Sequence, residues 1–516
     1  MLDEHNGYQR KIKNRDELAV EVGARPRQRS VIMCHGTFDL VHPGHIRHMM
    51  YAKNKADILV VSLTSDDHIS KANFRPFVPQ ELRAMNLAML EVVDYVLIDE
   101  NPTPLENIRF LQPDYYAKGY EYVDGGLHPK TQEEVDVLKG YGGELILTPG
   151  DVVYSSSAII DRAPPDLAVE KLHLLMESEG ITFDDLKKTV SSFDSTQIHV
   201  IGDTIVDSYT YCSMISSGAT KTPTVSLKYD RQVDFVGGAA IVAKHARTAG
   251  AKVKFSTVLG EDNLKDFVLE DLQTHGIECC HVIDPTRPTT QKNVFVQGPY
   301  RVLKVDKVDN SEITERILDS LKQHIAASEG VDAFVFSDFR HGIFTHVTIP
   351  QLTGILPEGP LKVADSQVAS RWGNILEFQD FDLITPNERE ARFSLGDQDS
   401  VIRPLALKLY EQARCKTLIL KLGERGIITY RAPNSDVRSF LTIDSFTNQV
   451  VDTMGTGDAL LAYSTLGLIA SKSPVVASII GTMAAAIACE HEGNIAVDPE
   501  LVIEKLDTVE RRLQFA

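Results

Sequence analysis

The chain has 516 residues, and 53 Lys and Arg stand against 72 Asp and Glu, a formal charge of −19. That balance repels polyphosphate backbones, so it argues against nucleic acid as a partner, and any phosphate must be met by local positive sites. The opening MLDEHNGYQRKIKNRDELAVE is polar and mixed in charge, and no run of about 18 apolar residues occurs, so the expectation is a cytoplasmic protein with neither a secretory signal nor membrane insertion. The cysteines Cys34, Cys212, Cys279, Cys280, Cys415 and Cys489 contain no CxxC pair, which suggests neither a zinc site nor a disulfide framework.

Residues 1–29 read as an N-terminal extension. Over 30–162, short apolar runs (VIMC, ILVVSL, YVLI, ELILT) alternate with amphipathic stretches such as HIRHMMYAKNKA and PQELRAMNLAMLEVV. This is the rhythm of a small parallel α/β sheet. Residues 163–195 then carry two helical segments, the second opened by Thr182 with Asp185 as a capping box, and are expected to form a helical linker. From 196 to 516 a longer βα series follows (IHVIG, VKFSTVLG, DAFVFSD, LKVAD, FDLITPN, TLILKLG) and ends in the apolar helix SPVVASIIGTMAAAIA. One large α/β domain with its sheet covered on both faces is predicted. TPTVSLKYDRQVDFVGG and QKNVFVQGPYRVLKVDKV alternate like half-buried antiparallel strands and predict a small β flap beside that sheet.

Two constellations carry chemistry. Residues 31–45 read VIMCHGTFDLVHPGH, an apolar strand running into Gly36 and Thr37, then His42 and His45 on one face of a starting helix. Imidazoles at a helix N-terminus, where backbone N–H groups already favour an anion, suit a phosphate site whose ring donors strengthen as charge develops on a transferring nucleotidyl group. A metal pair or two surface histidines are the alternatives; a metal would want a third ligand nearby, and the Gly, Thr and Pro around the pair suit close phosphate approach better.

GTFDLVHPGH resembles the HxGH signature of the cytidylyltransferase-like nucleotidyltransferases, and SLTSDD (62–67), KANFRPFVPQELR (71–83), YAKGYEY (116–122) and YSSSAII (154–160) follow in that family's order. The resemblance implies a small Rossmann-like domain in which Thr37, His42, His45, Ser155, Ser156 and Ser157 hold a triphosphate. It further implies Gly36, Phe38, Arg83 and Lys118 on the nucleotide, Lys71 neutralising the phosphates during attack, and Mg²⁺ accompanying them. Taken alone, Lys71 and Arg83 read as solvated surface charge; only their place in the series changes that.

Residues 451–458 read VDTMGTGD with a long apolar helix behind. Gly455, Thr456 and Gly457 would bring bare N–H groups to a helix N-terminus, and Asp458 would project from the first turn, where a carboxylate can orient a hydroxyl and take its proton. In isolation an ordinary glycine-rich loop explains these residues as well. DTMGTGD, however, resembles the DTxGAGD signature of the ribokinase (PfkB) family, with GDTIVDSY (202–209), GGAAIVAKHARTAG (237–250), TPNEREA (385–391) and LKLGERG (420–426) in the family's order. The resemblance implies a ribokinase-like fold, Asp458 as catalytic base, Gly455 to Gly457 as anion hole and ATP as donor. Asn387, Lys421, Gly423 and Gly426 fall on the nucleotide side, and Glu390 acts on Mg²⁺. Asp203, Asp207, Gly237, Gly238, Thr290 and Lys292 would receive the sugar. One departure stands out: after GGAA the family's sugar kinases usually carry Asn, and this chain has Ile241.

The pairing resembles the bifunctional family that phosphorylates D-glycero-D-manno-heptose 7-phosphate at its anomeric carbon and then transfers AMP to the 1-phosphate. RPTTQKNVFV (287–296), RVLKVD (301–306) and FSDFRHGIF (336–344) read like its kinase half. That family places the kinase first, whereas here the transferase leads. Arg287, Lys292 and Arg301 lie in the expected flap and could hold a substrate phosphate. The expected reactions are anomeric phosphorylation of a sugar or sugar phosphate by ATP, then nucleotidyl transfer with release of pyrophosphate. Two alternatives stay open: CTP with another sugar or a polyol, and one domain serving as scaffold or sensor, a reading motivated by Ile241. A homodimer is the expectation from resemblance, with an exposed strand edge as its physical motive.

Overall fold

A computed structural model describes residues 6–69, 76–119, 129–148, 168–216, 226–367, 374–432 and 439–514, and the chain divides into two compact units, Met1–Leu167 and Ala168–Ala516. The first holds five strands: β1 (Val31–Gly36), β2 (Ile58–Thr64), β3 (Tyr95–Asp99), β4 (Tyr115–Gly119) and β5 (Glu144–Thr148). They run parallel in the order β3-β2-β1-β4-β5. Reversal of strand order beside β1 opens a crevice at its carboxyl end. Along β1 the side chains alternate, Ile32 and Cys34 packing into one core layer and Val31 and Met33 into the other, so both faces are covered. The stretch expected as an extension is partly built into this unit: Asn14 and Glu17 cap the helix Arg15–Val22, and its Leu18 and Val22 are buried in the core layer that holds Val31.

The second unit begins with β6 (Gln197–Gly202), β7 (Thr204–Ser216), β8 (Ser226–Gly238), β9 (Lys252–Leu259), β10 (Glu278–Ile283), β11 (Gln291–Gln297) and β12 (Tyr300–Lys307). It continues with β13 (Ala333–Asp338), β14 (Leu361–Ser366), β15 (Leu383–Ile384), β16 (Thr417–Lys421), β17 (Ile427–Arg431) and β18 (Phe440–Ile443). A nine-stranded sheet runs β10-β9-β6-β13-β14-β15-β16-β17-β18, with its last two pairings antiparallel. Ala333 and Val335 of β13 face one core, Phe334 and Phe336 the other, the both-faces-buried pattern expected of a covered sheet.

The flap is a four-stranded sheet, β12-β11-β7-β8, one strand larger than the alternation of two stretches predicted. The extra member is β7, which follows β6 directly in the sequence. Gly202 ends β6 where a Cβ would stand 2.2 Å from the Ser337 carbonyl, and the chain then leaves for the second sheet. The helices Ala168–Glu179 and Phe183–Ser191, expected as a linker, pack into the core of the second unit through Leu172, Met176, Phe183, Leu186 and Val190. Thr182 and Asp185 form the capping box read from the sequence. Among the described residues, no helix is long and apolar enough to cross a membrane.

Candidate active sites

In the first unit β1 delivers Gly36 and Thr37 to the crevice, and the helix Pro43–Lys53 starts there with His42 as its N-cap and proline in its first turn. Gly44 N–H donates to His42 Nδ1 at 3.2 Å. The His42 and His45 rings stack with centroids 3.9 Å apart, and Phe38 meets His45 edge-on at 5.1 Å. Burial, reinforced by His42 and His48, lowers the His45 imidazole to about 4, so the ring is neutral at pH 7; its Nδ1 is buried without a hydrogen-bond partner. Lys118 at the end of β4 pairs with Glu134. Lys71 and Ser155, Ser156 and Ser157 lie outside the described residues.

Arg83 behaves differently from the expectation that it holds the nucleotide. It is 0% exposed, Nε donates to the Val78 carbonyl at 2.8 Å and Nη1 to the Thr64 carbonyl at 3.0 Å. Nη1 also reaches the Thr37 carbonyl, and Nη2 pairs with Asp66 at 2.6 Å. A guanidinium enclosed in this way cannot touch a ligand; it pins the loops after β1 and β2. The sequence reading also passed over His35, whose ring nitrogens meet Ser62 Oγ at 2.9 Å and Thr64 Oγ1 at 3.1 Å, and over His48, bonded to Thr148 Oγ1 at 2.8 Å. Neither matches a motif, and a lone histidine in a helix or strand gives no sequence signal for its neighbours.

In the second unit most of the predicted residues converge on one cavity of about 990 Å³, lined by Asp207, Gly238, Lys292, Asn387, Glu390, Lys421, Gly423, Gly426, Gly455, Thr456, Gly457 and Asp458. The helix Thr456–Ser471 starts on Gly455, whose φ of +73° a residue with a Cβ rarely adopts, and presents Asp458 in its first turn. Asp458 is 8% exposed and its Oδ1 has no hydrogen-bond partner. Burial, then the nearby Asp365 and Asp207 carboxylates, pushes it up to about 8 despite Lys421. Lys421 Nζ lies 2.9 Å from Asp365 Oδ2. Glu390, raised by burial, accepts from the backbone N–H of Asn387 at 2.7 Å and from its Nδ2 at 2.6 Å in a capping box.

Three buried carboxylates, Asp365, Glu390 and Asp458, thus face one lysine. That hard-oxygen set suits a divalent cation arriving with phosphates, since Mg²⁺ takes one or two carboxylates and keeps substrate oxygens and water. Among the described residues there is no ready-made group of three or more His, Cys, Asp or Glu side chains that could hold a metal ion.

At the end of the cavity expected to receive the sugar, burial raises Asp207 to about 6 against the pull of Lys292 and Lys304. A smaller pocket of about 280 Å³ adjoins it, lined by Asp207, Lys292, Arg301 and Lys304 among others. Gly237 is required where it stands, because a Cβ would come 2.2 Å from Asp207 Oδ2. Three expectations change. Asp203 is buried and its Oδ2 accepts the backbone N–H of Phe339 and of His341 at 3.0 and 3.2 Å, so it braces the loop after β13 and does not line the cavity. Thr290 is buried, and its carbonyl takes the Val206 N–H at 2.8 Å. Arg287 is held by Asp284 at 2.8 Å and by the Ser311 and His341 carbonyls, away from the pocket that keeps Lys292 and Arg301. Sequence reading did not single out Lys304, although it lies within RVLKVD, nor Asn494, which sits in no motif; both line the large cavity.

A mixed nine-stranded sheet, a smaller sheet carrying Asp207 and Lys292, and a glycine turn presenting a buried carboxylate into one cavity define a carbohydrate-kinase class of domain. Ahead of it stands a doubly wound sheet with paired histidines at a helix start. The chain belongs to the pfkB family of carbohydrate kinases, whose model matches residues 195–501; the cytidylyltransferase-like model matches residues 33–162. Among its relatives, the bifunctional protein HldE of Pelobacter propionicus is 37% identical over 161 residues, 31% of this chain and 32% of that protein. HldE of Desulfatibacillum aliphaticivorans is 26% identical over 331 residues, 63% of this chain and 65% of the relative. The chain therefore spans about a third of the first relative and less than two thirds of the second. A crystal structure of phosphofructokinase-2 from Escherichia coli superposes with a TM-score of 0.51 at 17% identity, covering 61% of this chain and all of that one; this likeness concerns the fold alone.

Proposed function

We propose that the second domain transfers the γ-phosphoryl group of ATP to the anomeric hydroxyl of a sugar phosphate of the heptose type, giving a bisphosphate and ADP, and that the first, once a separate phosphatase has hydrolysed the original phosphate, converts the sugar 1-phosphate to a nucleotide-activated sugar with release of pyrophosphate. The observation that carries the reading is Asp458: a buried carboxyl with an empty oxygen, aimed into a cavity beside bare backbone N–H groups. A carboxylate there takes the proton of the attacking hydroxyl while the Gly455–Gly457 turn and Lys421 meet charge on the moving group. Glu390 would hold Mg²⁺ with the ATP phosphates, and the ion would supply charge neutralisation. The basic pocket formed by Lys292, Arg301 and Lys304 favours an acceptor that already carries a phosphate over a free sugar.

In the first domain His42 and His45, with Thr37, would hold the triphosphate of ATP or CTP by neutral ring donors and helix N–H groups. We also infer a homodimer paired along β12, an edge strand whose eight residues are all exposed, Tyr300 and Leu303 included. The deciding measurement is twofold: ADP formation from ATP against heptose 7-phosphate, other sugar phosphates and free sugars, and pyrophosphate release from ATP or CTP against the matching 1-phosphates. Turnover restricted to one sugar phosphate and its own 1-phosphate is the expected result. ADP formation with free sugars alone, or no pyrophosphate from any 1-phosphate, overturns it.

A further inference from the structure

Asn494 follows the last helix of the apolar pair in sequence and stands between two of the glycine motifs. It is 6% exposed, lines the large cavity, and donates from Nδ2 to Asp207 Oδ2 at 2.9 Å, whereas its Oδ1 is buried without a hydrogen-bond partner. A buried acceptor left empty is costly, so such an atom on a cavity wall points to a donor that arrives with the ligand. Two glycines make room for this amide. A Cβ at Gly237 would stand 2.6 Å from Asn494 Nδ2, and one at Gly455 would stand 2.4 Å from Asn494 Oδ1. The oxygen therefore lies beside the turn that carries Asp458, and the nitrogen fixes the orientation of the carboxylate on β7. Ile241 offers no substitute, being fully buried and absent from the cavity wall.

We propose that Asn494 is a specificity-determining residue of the kinase site: Oδ1 accepts a hydrogen bond from a substrate hydroxyl adjacent to the reacting one, while Nδ2 holds Asp207 toward the next hydroxyl. The acceptor class selected is a polyhydroxylated ring with neighbouring hydroxyls on one side, read jointly by an amide oxygen and a carboxylate. This rests on the kinase reading above. A site built to hydrogen-bond a hydroxyl rejects the analogue lacking it far more strongly than a merely apolar wall could.

The test uses the full chain with heptose 7-phosphate and its 2-deoxy and 3-deoxy analogues, comparing wild type with Asn494→Ala and Asn494→Ser, each checked for a native melting transition. Wild type is expected to discriminate against one deoxy analogue by a factor on the order of 10² or more in kcat/KM. Asn494→Ala should lose activity on the parent sugar, chiefly through KM, and process parent and deoxy analogue alike, with KM for ATP unchanged. Asn494→Ser, which restores one polar atom, should recover part of the discrimination. Discrimination that survives intact in both variants overturns the role of Asn494 alone. An inactive wild type that binds none of the three sugars by calorimetry overturns this proposal and the kinase reading together.

Discussion

The two candidate sites offer a phosphate opposite surroundings. In the first domain, among the described residues, the paired side chains at the helix start are imidazole rings, with His45 lowered to about 4 by burial, and the nearby cation Arg83 is withdrawn into the core. In the second, acid outnumbers base around Lys421, and burial drives Asp458 up to about 8. Neutral donors and helix N–H groups favour an anion with little charge to desolvate. Buried carboxylates repel that anion until a cation accompanies it, and in exchange provide a proton acceptor.

The largest expected effect comes from Asp458→Asn, which should lower ATP-dependent phosphorylation by about 10³ or more, while pyrophosphate release from supplied sugar 1-phosphate stays within about twofold. Equal loss in both assays would break the contrast. The same variant sharpens it thermodynamically. Because the folded state raises the Asp458 carboxyl from 3.8 to about 8, it contributes stability at low pH that is lost as pH rises through about 8. Asp458→Asn should accordingly melt above wild type at pH 9, as followed by calorimetry.

Next, His45→Ala should cut pyrophosphate release by about 10² to 10³ with phosphorylation untouched. Arg83→Ala should act on folding, because it removes the buried ion pair with Asp66 and the donors to three carbonyls; a loss of about 3–5 kcal/mol in the first domain's denaturant transition is expected. A stable Arg83→Ala protein with impaired nucleotide affinity would return Arg83 to the ligand. The smallest effect is in the pH profiles: phosphorylation should rise about tenfold per unit below pH 8 as Asp458 loses its proton, whereas pyrophosphate release should stay flat from pH 6 to 9, since His45 is already neutral there.

What was legible in the sequence is what local spacing encodes. HPGH and DTMGTGD each place a helix start and its flanking groups within ten residues, and the structure builds both helices there. Groups whose partners lie far along the chain were not legible. Asp203 is taken by the backbone of Phe339 and His341, more than 130 residues away, so a carboxylate that reads as sugar-binding serves a loop. Arg83 bonds three separate segments, at Thr37, at Thr64 and Asp66, and at Val78, and burial of an arginine depends on all of them at once. Asn494 meets Asp207 across 287 positions. Ile241, read as a lost amide, is simply interior packing on the helix Ala239–Thr248.

The helices ahead of β6 set where the two halves can be separated. Because Leu172, Met176, Phe183, Leu186 and Val190 plug the same apolar layer as the central sheet, a kinase fragment begun at 196 would leave that layer uncovered to solvent and self-association. A fragment begun at Ala168 keeps its own lining, so the usable cut for making either half alone lies on the amino-terminal side of those helices.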